Sequence, residues 1–263
     1  MNKPVLSYLI LDFLRPEESK KCIESLYEYT RFPFKIIYLS NGGGYENQEY
    51  VLDYYWRGLI HQLILNKENS GLGYGTTDLF RFCDTSHAIY VQSDQFLRRT
   101  FAKDELDYLI SLLDSTDNSK TIKSISLAGN NAQGQYSERA HLIRTDFYNS
   151  ISDKPNFGAG PYHDGMWNEE YIQKYYKEHD FIHYIYPDLI FADNGCWAVR
   201  QNPDGTIIRH RTDTKQVWFN SVPKQRFIHP PLNDFEWELA LQGKWVNGTV
   251  PVNAIKDSFR FWE

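Results

Sequence analysis

The chain has 263 residues, with 28 basic and 34 acidic side chains and a formal net charge of −6. Hydrophobic residues at 41% and charged residues at 24% are globular proportions, which exclude a disordered or collagen-like chain. The mild acidity, with no Lys/Arg block to release counterions, speaks against a nucleic-acid partner.

At the N-terminus, Met1-Asn2-Lys3-Pro4 leads straight into VLSYLIL and Asp12, without the longer apolar stretch and small-residue cleavage site of a signal peptide. No apolar run of about eighteen residues occurs, so no integral membrane segment is expected. Residues 4–11 read as a buried strand closed by the turn Asp12-Phe13-Leu14-Arg15. Pro16, followed by Glu17 and Glu18, opens a helix whose apolar positions are Cys22, Ile23, Leu26 and Tyr27. Residues 35–39 form a second strand, Ser40-Asn41-Gly42-Gly43-Gly44 a break, and residues 46–57 a helix. A third strand covers 61–65, followed by a loop over 66–75 and a helix to about residue 84. The fourth strand, 87–91, ends in Gln92-Ser93-Asp94-Gln95.

Apolar strands alternating with helices argue for a mostly parallel sheet covered on both faces. In such sheets the loops at the carboxyl ends of the strands form the ligand crevice. Asp12, Ser40-Asn41, residues 69–75 and residues 92–95 are therefore expected on one rim.

The second half is less regular. It reads as a helix over 103–114, a strand over 122–128, a polar loop over 129–138 and a short strand over 140–144. A breaker at 157–161 precedes a helix over 168–178 with acidic residues in its first turn. A strand over 181–191 contains Pro187 and so belongs at an edge or a bend. Asn202-Pro203-Asp204-Gly205 suggests a hairpin within 197–220, and the tail over 227–263 reads as irregular packing. With no internal repeat or linker, residues 1–263 are expected to form a single α/β domain. Cys22, Cys83 and Cys196 are widely spaced and odd in number, which predicts no disulfide framework and a reduced, cytoplasmic setting. The 19 tyrosines suit sugar rings and bases, but tyrosine abundance is first a matter of packing.

Several site readings fail on context. Gly71-Leu72-Gly73-Tyr74-Gly75 is spaced G-x-G-x-G and follows the third strand, so it is not the dinucleotide fingerprint. His179 and His183 have zincin spacing, but the helix ends near Glu178 and the intervening Glu is missing. No G-x-S-x-G is present.

The runs VLSYLILDFLRPEESKKCIESL, KIIYLSNGG and LNKENSGLGYGTTDLFRFCDTSHAIYVQSDQ are similar to the family-2 glycosyltransferases of the GT-A fold. In that family a first strand leads through a turn into a helix. The second strand ends in Asp-Asn-Gly-Ser, the third in Asn-x-x-Asn-x-Gly and the fourth in Asp-x-Asp. The likeness covers residues 4–97 in order. It implies a GT-A-like fold, with residues 1–100 as the nucleotide-sugar half and 101–263 as the acceptor half. Donor contacts fall to Asp12, Arg15, Ser40, Asn41, Asn69, Gly71, Gln92 and Ser93. Ser40 stands where the family has a base-reading Asp, and a hydroxyl holds a base more weakly than a carboxylate. Gln92 and Asp94 stand where the family has its two aspartates, and Asp94 is the implied ligand of Mn²⁺ or Mg²⁺. Its alternative reading is a helix N-cap after the strand.

The family's Glu-Asp at a helix start corresponds to Glu169 and Glu170 in Trp167-Asn168-Glu169-Glu170. Glu170 is the first choice for catalytic base and Glu169 the second, although two acids in a first turn also favour the helix dipole. Asp193 stands near the family's additional metal or phosphate contact. His163, Asp164 and Trp167 are candidates for acceptor binding, with Trp197 a stacking candidate and His229 a tail contact. Residues 158–166 are a candidate lid.

The expected activity is transfer of a sugar from a nucleotide-sugar donor to a hydroxyl of a glycan or other acceptor. By the resemblance it is inverting and divalent-metal-dependent. Ser40 and Gln92 favour one alternative, a catalytically degenerate domain that binds nucleotide or glycan only. A sugar nucleotidyltransferase is the other, although the first turn lacks the Gly-rich loop that class uses.

Overall fold

The computed structural model of the chain describes residues 5–42, 45–115, 121–128, 135–153, 168–193, 197–201, 207–211 and 226–228. The first half runs β1 (Leu6–Asp12), α1 (Pro16–Tyr29), β2 (Phe34–Asn41), α2 (Tyr45–Trp56), β3 (Gln62–Asn66), α3 (Gly71–Arg81) and β4 (His87–Gln92). There follow β5 (Gln95–Leu97), α4 (Lys103–Asp114), β6 (Ile122–Ser126), β7 (His141–Arg144), α5 (Thr145–Ser152) and α6 (Asn168–Glu178). The last described elements are β8 (Ile182–Ile185), β9 (Phe191–Asp193), β10 (Trp197–Gln201), β11 (Ile207–Arg211) and β12 (Arg226–Ile228).

The first strand shows why the chain forms layers. All seven residues of β1 are buried, and they alternate between two cores. Leu6, Tyr8 and Ile10 join Ile23 and Leu26 of α1, Val51 of α2 and Leu106 and Leu109 of α4. Leu9 and Leu11 join Leu79 and Phe80 of α3, Tyr148 and Ile151 of α5 and Ile172 of α6. Thus α1, α2 and α4 cover one face, and α3, α5 and α6 cover the other. Fully burying one such Leu or Ile stabilises by about 2 kcal/mol, so a strand apolar on both faces demands both layers.

The 8-stranded sheet has the order β12-β3-β2-β1-β4-β7-β6-β8. Strands β3, β2, β1 and β4 are mutually parallel, while β7 runs antiparallel between β4 and β6. Chain order reverses at β1, which lies between β2 and β4. This is the switch point where open α/β sheets place ligands. The registers Asp12↔Ser40, Leu11↔Gln92 and Asn41↔Asn66 bring the four carboxyl ends to one rim, as the strand–helix alternation predicts.

Four expectations change. The loop over 66–75 ends early, because α3 starts at Gly71, where Gly71 N–H donates to the Asn69 carboxamide oxygen at 2.8 Å. The strand over 181–191 is two strands, with Pro187 between them. Strand β8 lies at the sheet edge, and β9 pairs with β5 in a separate ladder. Helix α5, absent from the sequence reading, is held by Tyr148 stacked on Phe80 of α3 with ring centroids 3.7 Å apart. The tail is not wholly irregular, since β12 adds antiparallel to β3. Strands β10 and β11 pair as the expected hairpin, Trp197 opposite Arg211. Among the described residues, no helix is long and apolar enough to cross a membrane.

Candidate active site

The crevice is built around the end of β1. Asp12 is 1% exposed and receives the Ser93 hydroxyl at 2.9 Å on one carboxylate oxygen and the Tyr50 hydroxyl at 3.3 Å on the other. Tyr50 in turn lies 2.7 Å from the hydroxyl of Tyr38, which donates to Ser19 Oγ at 2.9 Å. Burial pushes the Asp12 carboxyl above the usual carboxylate range, against the pull of Ser93, Ser19 and Arg15. Ser93 also donates its N–H to Leu11 O at 3.1 Å. Asp12 and Leu11 together therefore fix the turn that follows β4, and that turn carries Asp94.

Arg15 reaches the same turn. Its Nη1 lies 2.6 Å from Asp94 Oδ2, with the two side chains 14% and 8% exposed. The residue before it, Leu14, is buried with φ of 58°, a left-handed conformation that costs a branched residue about 1 kcal/mol or more. Pro16 at the start of α1 completes this strained turn, which sets Arg15 at the rim. Asp94 is followed by β5, so it is not a helix N-cap. The β5–β9 ladder sets the backbone of Asp193 opposite Gln95, the residue after Asp94.

The ends of β2 and β3 serve differently. Ser40 Oγ accepts from the Gln48 amide of α2 at 2.9 Å and is fully buried. Asn41 Oδ1 accepts from Asn66 Nδ2 at 2.9 Å, Ser70 N at 2.9 Å and Ser70 Oγ at 2.7 Å. Its Nδ2 donates to Asn69 Oδ1 at 2.9 Å and Gly71 O at 3.1 Å. Asn41 and Asn69 thus fasten the two loops together beneath the crevice. Gly42, at φ of 95°, permits this closeness: a Cβ there would sit 2.7 Å from the Asn69 backbone nitrogen.

The start of α6 supplies the acids. Asn168 is fully buried, and its Nδ2 donates to Glu138 Oε1 at 2.6 Å. Glu169 is pushed above the usual range by burial and by Glu170, with Arg139 opposing. Sequence reading missed Glu138 and Tyr50, because a lone acid before an apolar strand and a helical Tyr carry no motif. His163, Asp164, Trp167 and His229 lie outside the described residues, as does the lid candidate over 158–166.

Among the described residues, no group of three or more His, Cys, Asp or Glu forms a ready-made metal cluster. The Asp94 carboxylate is a hard oxygen donor of the kind that suits a divalent ion together with phosphate and water, while the Gln95 carboxamide oxygen accepts from Gln92 N at 3.3 Å.

No protein-family model and no curated protein matches the chain. Solved structures do. The mannosyltransferase PcManGT from Pyrobaculum calidifontis, in complex with GDP-Man and Mn²⁺, aligns with a TM-score of 0.56 at 10% identity, over 74% of this chain and 58% of that one. S. aureus TarS 1-349 in complex with UDP aligns with a TM-score of 0.50 at 13% identity, over 71% of this chain and 59% of that one.

The chain has a GT-A-like glycosyltransferase fold. At these identities the likeness is one of fold, and the chain spans less than two thirds of either protein's length.

Proposed function

We propose that the protein is a glycosyltransferase that moves a sugar from a nucleotide-sugar donor to an acceptor hydroxyl with inversion, assisted by a divalent metal. The observation that carries this reading is Arg15 and Asp94 meeting, beside Asp12 and Ser93, at the β1/β4 switch point of a GT-A-like sheet. Asp94 would hold Mn²⁺ or Mg²⁺, and Asp193, whose backbone lies opposite Gln95, is the second candidate ligand. Such an ion neutralises charge developing on a departing diphosphate. Arg15 supplies a guanidinium for the same phosphates, and Ser93 and Gln92 supply hydrogen bonds to the donor. Glu170, or Glu169 as second choice, takes the proton of the acceptor hydroxyl. The acceptor oxygen bonds to the anomeric carbon as the bond to the diphosphate oxygen breaks, and the nucleoside diphosphate leaves with that electron pair.

The test is thermal unfolding with UDP, GDP, CDP, TDP and their sugar conjugates, each with Mn²⁺ and with EDTA. A ligand at a hundred times its Kd should stabilise by about 2.7 kcal/mol. Glu170→Gln should lower turnover by roughly a hundredfold or more with donor affinity nearly unchanged, and a variant at the wild-type rate removes Glu170 from the base role.

One observation supports a second reading. The Ser40 hydroxyl, at the position of a base-reading acid, is engaged by Gln48 inside the fold, as suits a domain that binds without transferring. Release of nucleoside diphosphate from a bound nucleotide sugar excludes that reading.

A further inference from the structure

Glu138 stands between the last described loop before β7 and the first turn of α6. It is 3% exposed, and Asn168 Nδ2 at 2.6 Å is its single hydrogen-bond partner among the described residues. Its second oxygen, Oε2, is buried with no partner among them, and no ion pair from the described residues reaches the carboxyl. An ionised carboxylate held by one neutral amide in such surroundings costs several kcal/mol, and taking up a proton relieves that cost. With Oε1 accepting from Asn168, the proton belongs on Oε2.

The groups facing Glu138 are Glu169 from α6, Tyr90 from β4, Tyr136 from the preceding segment and Tyr148 from α5, while Arg139 faces Glu169. Burial drives the Glu138 carboxyl well above the usual carboxylate range, and the charge of Glu169 adds to that. The consequence reaches Glu169, the second choice for the base and the neighbour of the first. Residues 169 and 170 already place two acids in one turn, and a third charge on Glu138 would raise the proton affinity of Glu169 further. A neutral Glu138 avoids this while still gripping Asn168, the first residue of the helix.

We propose that Glu138 is a positioning residue: a neutral carboxyl clamped to Asn168 that fixes the leading turn of α6 and spares Glu169 a third negative neighbour. Its link to catalysis rests on the glycosyltransferase reading; its protonation does not.

The experiment compares wild type with Glu138→Gln and Glu138→Ala. Thermal stability is followed from about pH 7 to about pH 8.5, above the titration of unfolded histidines. A group whose folded pKa is raised contributes stability that is lost as pH rises through that value. Wild type should therefore lose stability across the range, and Glu138→Gln, which keeps an acceptor for Asn168, should lose markedly less. Equal slopes, or a Gln variant as unstable as the Ala variant, overturn the neutral carboxyl. Nucleoside diphosphate release from UDP-GlcNAc and GDP-mannose is then measured against pH. Wild-type kcat should decline toward alkaline pH as Glu138 ionises beside the leading turn of α6; Glu138→Gln should match wild-type kcat at about pH 7 and lose that decline, and Glu138→Ala should lower kcat roughly tenfold with KM unchanged. An Ala variant with wild-type kcat overturns the positioning role. Wild type inactive on every nucleotide sugar overturns the transferase reading and the link to a base, while the stability comparison still decides the proton.

Discussion

Arg15 and Asp94, 79 residues apart in sequence, meet at 2.6 Å where β1 and β4 end. The pair joins a strained turn to the turn that Asp12 fixes through Ser93, so one contact holds together both walls of the crevice. It also sets how the site responds to ligands. The cation that balances Asp94 without a donor is also the natural partner for a diphosphate, and Asp94 is the natural partner for its metal.

Asp94→Asn should abolish the Mn²⁺-dependent part of any nucleotide-induced thermal shift and keep most of the metal-independent part. Arg15→Met leaves Asp94 mostly buried without its cation and should destabilise by about 3 kcal/mol, the cost of breaking a buried pair from one side. Nucleotide titrations with and without EDTA, together with urea midpoints, measure both. An Asn variant with the full Mn²⁺ response would move the metal away from Asp94.

Asn41→Ala removes both ends of the bridge between the β2 and β3 loops, leaves Ser70 N–H without its acceptor and leaves Asn66 Nδ2 with the longer bond to Ser70 Oγ at 3.2 Å. A loss of about 3 kcal/mol is expected from the unsatisfied groups. Urea unfolding checks this, and a loss below about 1 kcal/mol would show that water replaces the bridge.

Gly42→Ala should cost about 2 kcal/mol or more, since the added methyl meets backbone and φ is left-handed. Gly75→Ala meets the Leu11 Cδ1 side-chain tip at 2.7 Å instead, and should be the milder of the two. Side-by-side melting curves test the order.

Two buried histidines set the acid limit. His183, 2.6 Å from Ser124 Oγ through Nδ1, is lowered to about 3 by burial and then by His141, which burial itself lowers to about 4. Both are neutral in the fold and titrate near pH 6.5 in the unfolded chain, so their stability is present above about pH 6.5 and lost as pH falls below it. The limiting slope is about 1.4 kcal/mol per pH unit for each imidazole. Urea midpoints of wild type and His183→Gln between about pH 7 and about pH 5 should diverge in slope; parallel curves would mean that His183 is protonated in the fold.

Much of the rim was legible because it follows from local rules. Apolar runs such as residues 6–11 name their strands, Pro16 with Glu17 and Glu18 names a helix start, and parallel connection puts all four carboxyl ends on one side. The limits were equally physical. Helix α5 has little intrinsic helical preference in TDFYNSIS and forms because Tyr148 finds Phe80. The start of α3 was misplaced because three glycines argue for a loop until Asn69 and Asn41 tie down the first turn.

The sequence by itself determined the order of strands and helices as far as β4, the convergence of Asp12, Ser93 and Asp94 on one rim, and the presence of acids at the head of α6. Only the tertiary structure decided what those groups do to one another. It paired Arg15 with Asp94, turned Ser40 and Asn41 inward as scaffold, set Asp193 beside Gln95 and buried Glu138 against Asn168. Periodicity and turn chemistry act over a few residues and are written locally. Charge, protonation and hydrogen bonding depend on distance and burial, which exist only once segments remote in the chain are packed together.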